Sequence, residues 1–236
     1  MPRVLPTAYA GRCVLAVAVL ILALLAALLP ASDAHAQRGG RREKPAEPTQ
    51  PGDWLAEYTE PEDGVETRGR LTYRLSPGND RWPPEIRVRI IKAMDEAVWL
   101  YNRYGLFEKQ LLVAYDRSVP TANANYAGRI KFGKSISTRV ALHEIQHTLG
   151  VGTQRAWGRM LKDKKWTGHH ANRLLQSFDG RDARLNGDRQ HFWPYGLNYD
   201  KGDNPTNRVR HILMVEALCR DMGLRVFLKE PPSGRR

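Results

Sequence analysis

Two histidines and a glutamate in the run His143-Glu144-Ile145-Gln146-His147 carry the clearest chemistry in this chain. On a helix, side chains four residues apart stand one above the other on the same face. His143 and His147 can therefore grip one metal ion while Glu144 lies beside it. Neutral imidazole is a good zinc ligand, and a carboxylate next to the metal but not on it can take a proton from water. The spacing predicts a zinc site with Glu144 as general base. Gly150 ends such a helix where a left-handed residue is wanted, and Val151, Gly152 and Thr153 turn the chain away.

Several elements must hold that helix in place. Leu71 to Leu75 alternates apolar and polar residues and stops at Ser76-Pro77-Gly78, which predicts a strand closed by a turn. Pro83 and Pro84 then introduce a helix that Gly105 stops. Its stripe of Ile86, Val88, Ile91, Met94, Ala97, Val98 and Tyr101 should lie against a sheet. Leu111 to Tyr115 reads as a short apolar strand, and Gly128 to Phe132 as another, with Ile130 and Phe132 alternating. The motif helix follows directly, capped by Ser135 or Ser137. The expected class is α+β: a mixed twisted sheet, the motif helix and a mainly helical C-terminal part.

This order of elements ending in HExxHxxG resembles the N-terminal half of the zincin metallopeptidases, and the Gly150 spacing is similar to the metzincin branch. The likeness runs from about Arg70 to Gly223. It implies a zincin-like metallopeptidase domain in which the strand before the metal helix is a sheet edge that holds extended substrate. That role falls to Ala127 to Phe132, with Gly128, Ile130 and Phe132 as its marked positions. An unpaired edge offers main-chain donors and acceptors to any extended chain.

The departure from that pattern concerns the third ligand. Metzincins place it three residues after the glycine, where this chain has Thr153, a poor zinc ligand. A catalytic zinc keeps three protein ligands and an open position, so the third must come from His169, His170, His191 or His211. His191 lies in GDRQHFWPYGLNY, dense in aromatics, Gly and Pro, and is the first choice. Some metzincin-like peptidases of the leishmanolysin type insert a long segment there, which makes a 44-residue step from His147 tolerable. His169 and His170 begin a helix ending near Phe178 and are adjacent, so at most one can bind. His211, beside Arg208 and Arg210, reads as part of a solvated basic face. Met214 lies in a helical pattern and reads as core, not as the methionine turn of the metzincins. Tyr195 and Tyr199 are candidates for contacting a developing oxyanion or the zinc, and packing of their loop explains them equally well.

The ends of the chain read differently. Arg3 and Arg12 precede an apolar run from Val14 to Leu29, and Ala34-His35-Ala36 has the small-x-small pattern of a signal-peptidase site. Residues 1–36 are thus expected to be a signal peptide, the protein to be secreted or periplasmic, and no membrane anchor to survive cleavage. Losing Arg3, Arg12 and Asp33 takes the formal charge from +12 to +11. Residues 37–52 lack large apolar groups and read as a linker, 53–229 as the domain, and 230–236 as a loose tail. Only Cys219 remains after cleavage, so no intramolecular disulfide is available; its apolar neighbours predict burial.

These features together predict a zinc-dependent hydrolase of peptide or protein substrates. The alternative is a catalytically inactive zincin-fold module that holds an anionic cell wall or polysaccharide through its positive charge, with Trp157, Trp166 and Trp193 stacking on sugars. Nucleic-acid binding would rest on charge alone, without a recognition motif, and is not expected.

Overall fold

A computed structural model of the chain describes residues 68–227. The expected signal peptide, linker and tail lie outside the described residues. Among those described, no helix is long and apolar enough to cross a membrane.

The first sheet holds β1 (Arg70–Leu75), β2 (Glu108–Tyr115), β3 (Ala122–Ala124) and β4 (Arg129–Phe132) in the order β1-β2-β4-β3. β1 pairs parallel with β2 and β2 parallel with β4, while β3 runs antiparallel to β4, so the sheet is mixed. Alternation along the strands gives it two unlike faces. Leu71, Leu111, Val113, Ile130 and Phe132 are buried, whereas Arg70, Thr72, Arg74, Gln110, Arg129 and Lys131 are exposed.

The helix α1 (Pro84–Tyr104) begins with proline in its first turn and lies against β1. Its buried residues are Ile90, Ala93, Met94, Ala97 and Tyr101. Val88 is 62% exposed, contrary to the sequence expectation: two residues from both Ile86 and Ile90, which face the core, it falls on the opposite side of the helix. The motif helix α2 (Thr138–Leu149) packs on α1 and on β3. Ser137 caps it, its Oγ accepting from Val140 N at 3.3 Å.

Beyond α2 the chain forms α3 (Arg155–Arg159) and a small antiparallel sheet of two-residue strands, β5 (Leu161–Lys162), β6 (Lys165–Trp166), β7 (Asn186–Gly187) and β8 (Phe192–Trp193). Between β6 and β7 lies α4 (His169–Asp179). The last helix, α5 (Pro205–Asp221), buries every residue from His211 to Cys219 and touches α1, α2 and α4. Met214 and Cys219 are core, as expected, the thiol donating to Leu149 O at 3.4 Å. His211 is core too, against the expectation of a solvated face, because α5 runs through the middle of the helical layer and is not amphipathic over that stretch.

Candidate metal centre

α2 presents His143 and His147 on one face, one turn apart, and backbone carbonyls fix both rings. His147 Nδ1 lies 2.8 Å from Val151 O and His143 Nδ1 lies 2.9 Å from Gly196 O. A carbonyl only accepts, so each Nδ1 carries the proton and each Nε2 is left as a lone pair. Those two Nε2 atoms face one another at 3.3 Å. Two nitrogens each about 2.0–2.1 Å from a tetrahedral centre stand about 3.3 Å apart. Opposed lone pairs repel, and a cation between them turns the contact into an attraction, so the rings fit a metal ion. The Gln146 amide also lies 3.0 Å from His143 Nδ1. With the proton on Nδ1, the amide must turn its oxygen inward, which gives the otherwise unpartnered Gln146 Oε1 an acceptor role.

His191 completes the group. One ring nitrogen from each of His143, His147 and His191 lies within 4.8 Å of the others. The loop carrying His191 is seated by two contacts. Gly152, at φ 68°, approaches it so closely that a Cβ there would stand 2.2 Å from Gln190 O. Trp157 Nε1 donates to Asp188 O at 2.9 Å. Asp188 shapes the loop itself: its Oδ1 accepts from Gln190 N and His191 N, both at 2.7 Å, and its Oδ2 lies 3.4 Å from His191 Nδ1. A carboxylate on the far ring nitrogen orients a ligand histidine and raises its basicity.

The turn that ends α2 also serves the site. Gly150 has φ 121°, its N–H returns to Gln146 O at 3.1 Å, and the chain reverses so that the Val151 carbonyl points back at His147. Thr153, where the metzincin pattern has its last histidine, spends its hydroxyl on His147 O at 2.6 Å. His169 and His170 open α4 and are not part of the three-histidine group.

Burial sets the ionisation of these residues. It pushes His143 down to about 3, helped by the neighbouring His147, and lowers His147 as well, so both imidazoles are neutral ligands at neutral pH. Burial likewise raises the Glu144 carboxyl to about 7, against a downward pull from Arg139. For Asp188 burial raises the value, but the backbone donors of Gln190 and His191 and the charge of His191 outweigh it, and the net shift is downward.

All of this opens into a cleft of ≈ 470 Å³ whose walls include Glu144, the three histidines and residues 121–124. Glu144 is 6% exposed, and its Oε2 has no hydrogen-bond partner. The residues expected to form the substrate edge are not at an edge: Ile130 and Phe132 lie in β4, with Gly128 just before it, and β4 is paired with β2 on one side and β3 on the other. The sheet edge facing the cleft is β3, whose sequence Ala-Asn-Ala is too short and too weak a strand former to be read in advance. The two tyrosines also separate. Tyr199 lines the cleft and is 70% exposed. Tyr195 turns away from it, its hydroxyl donating to Asp179 Oδ1 and accepting from Arg210, both at 2.5 Å. Trp157 and Trp166 are buried and packed together with ring centroids 4.9 Å apart, while Trp193 lines the cleft.

Fold and site together define a mixed α/β protein with a His143-Glu144-x-x-His147 helix and three histidines close enough to bind one metal ion. Comparison with known proteins finds no match, whether to family models, to curated proteins or to solved structures.

Proposed function

We propose that this protein is a secreted, zinc-dependent peptidase of zincin-like fold that hydrolyses peptide bonds with Glu144 as general base. The observation that carries the reading is the unpartnered, buried Glu144 Oε2 in the same cleft as three imidazoles whose free nitrogens converge. A structural metal site has no use for an unligated carboxylate beside it, whereas hydrolysis requires one. Held by His143, His147 and His191, zinc would supply Lewis acidity and bring the pKa of a water in the cleft to about 7. Glu144 takes the proton of that water and hands it to the leaving amine. The main chain of β3 offers its open edge to an extended substrate, and Tyr199 stands at the rim with a free hydroxyl for the developing oxyanion. The polysaccharide-binding reading is weakened by the burial of Trp157 and Trp166, which leaves Trp193 alone of its three stacking platforms.

Glu144→Gln tests the proposal, since the amide keeps the shape of the side chain but cannot accept the proton. Zinc content should stay at about one per chain in both proteins, while cleavage of a mixed peptide library falls by about 10²-fold or more. Retained cleavage would remove Glu144 from the mechanism. If both proteins hold zinc, cut nothing and bind an anionic polysaccharide, the binding module replaces the peptidase.

A further inference from the structure

His211 lies outside the cleft, in the middle of α5, yet its hydrogen bonds lead back to a metal ligand. Its Nδ1 is 2.8 Å from Tyr195 O, and its Nε2 is 3.1 Å from the Tyr101 hydroxyl and 3.2 Å from Leu142 O. Both carbonyls can only accept, but Leu142 O is also served by the Tyr101 hydroxyl at 3.2 Å whereas nothing else among the described residues serves Tyr195 O, so Nδ1 bears the proton and Nε2 is left as an acceptor beside Tyr101. The next residue along the chain is Gly196, whose carbonyl holds His143 Nδ1 at 2.9 Å.

That stretch of backbone needs holding. Tyr195 and Leu197, on either side of Gly196, have φ of 66° and 51°, the left-handed region that side-chain-bearing residues avoid. Three ties keep them there: His211 on Tyr195 O, Arg139 on Leu197 O at 2.8 Å, and the Asn198 amide on Phe192 O at 2.9 Å. All three ties are only partly shielded, but the His211 ring itself is fully buried, so a change there acts on an interior polar group.

We propose that His211 is a positioning residue for the metal centre: through Nδ1–H it fixes the Tyr195 carbonyl, and with it the Gly196 carbonyl that sets the tautomer and orientation of the His143 ring. The inference rests on the metal-binding reading of the three histidines. It differs from a purely structural role in naming which atom of His211 matters. Asparagine places its amide nitrogen where histidine has Nδ1, and glutamine places its own where histidine has Nε2.

The experiment is zinc affinity by chelator competition for wild type, His211→Asn, His211→Gln and Tyr101→Phe, with circular dichroism on each metal-free protein. His211→Asn and Tyr101→Phe should bind zinc within about threefold of wild type, and His211→Gln should lose about tenfold, as outer-shell changes do. Equal losses for Asn and Gln, or a tenfold loss in Tyr101→Phe, would overturn the proposal. Wild-type protein that binds no zinc would sink the metal centre itself and this inference with it. Should a His211 variant not fold, nitrogen NMR of the wild type still decides: His211 protonated on Nδ1 supports the assignment, and protonation on Nε2 refutes it.

Discussion

Metal binding should raise the thermal stability of the wild-type protein and leave His191→Ala almost unmoved. The perturbation is removal of metal by a chelator followed by return of zinc at a fixed free concentration. His143 and His147 already stand at the separation that zinc requires, with carbonyls on both far nitrogens, so little reorganisation opposes binding. At free zinc about 100 times Kd, binding to the folded state alone is worth about 2.7 kcal/mol. A domain of this size gains about 2–4 °C per kcal/mol, so the midpoint should rise by about 5–11 °C. Losing a direct ligand costs at least the upper end of what outer-shell changes cost, about 100-fold. At the same free zinc, His191→Ala is then only half saturated, gains about 0.4 kcal/mol and moves by about 1–2 °C. The assay is differential scanning fluorimetry with buffered zinc. Equal shifts in the two proteins would remove His191 from the ligand set, and no shift in either would mean that the facing nitrogens mark no metal site.

Two further outcomes follow from neighbouring residues. Asp188→Asn keeps an acceptor for the backbone of Gln190 and His191 but removes the charge on the far side of the His191 ring, so zinc affinity should fall by about 10–100-fold with the fold intact; unchanged affinity by chelator competition would show that the carboxylate does not tune the ligand. Burial holds His211 at about 4 against an ordinary value of 6.5, so between those values the unfolded chain binds the extra proton and stability falls as pH falls. Between pH 7 and pH 5 the metal-free wild type should lose about 2 kcal/mol more than metal-free His211→Asn in urea unfolding. Using the difference cancels Glu144, whose raised value of about 7 acts in the opposite direction. Equal losses would show that His211 is not a buried neutral imidazole.

The sequence made the helix of the metal pair legible because that site is local: His143, Glu144 and His147 are one turn of one element, with Ser137 and Gly150 as its ends. The core strands β1 and β4 were legible through alternation, and β2 through its apolar run from Leu111 to Tyr115, which left out its polar start at Glu108. Harder to read were features in which backbone atoms or long separations decide. Gly196 O and Val151 O orient two ligands, and a carbonyl leaves no trace in residue type. The true edge strand is three small residues without β-branching. His211 misled because its flanking arginines suggested a wet face, while Arg208 in fact pairs with Asp203 and Glu96 and leaves His211 to the interior. Asp188 carries only a faint signal in the sequence, an acidic residue three before a histidine in a turn, where its carboxylate can hold the far ring nitrogen.

Glu144 and the histidines differ in what the fold does for them, and the difference bears on function. Each imidazole receives a partner on its far nitrogen, from Gly196, Val151 or Asp188. Glu144 Oε2 receives none although it is buried, and leaving a buried acceptor unserved costs about 1–3 kcal/mol. A fold that binds metal only for stability would gain from an apolar residue at that position, since the ligands are already oriented without it. Glu144 instead lines the cleft together with the three histidines, although its unserved oxygen is itself closed off from solvent. Strain of this kind gathers where chemistry needs a group free to act: among the described residues the unserved buried side-chain oxygens belong to Glu144 and Asn198, which both line the cleft, and to Gln146, which touches His143.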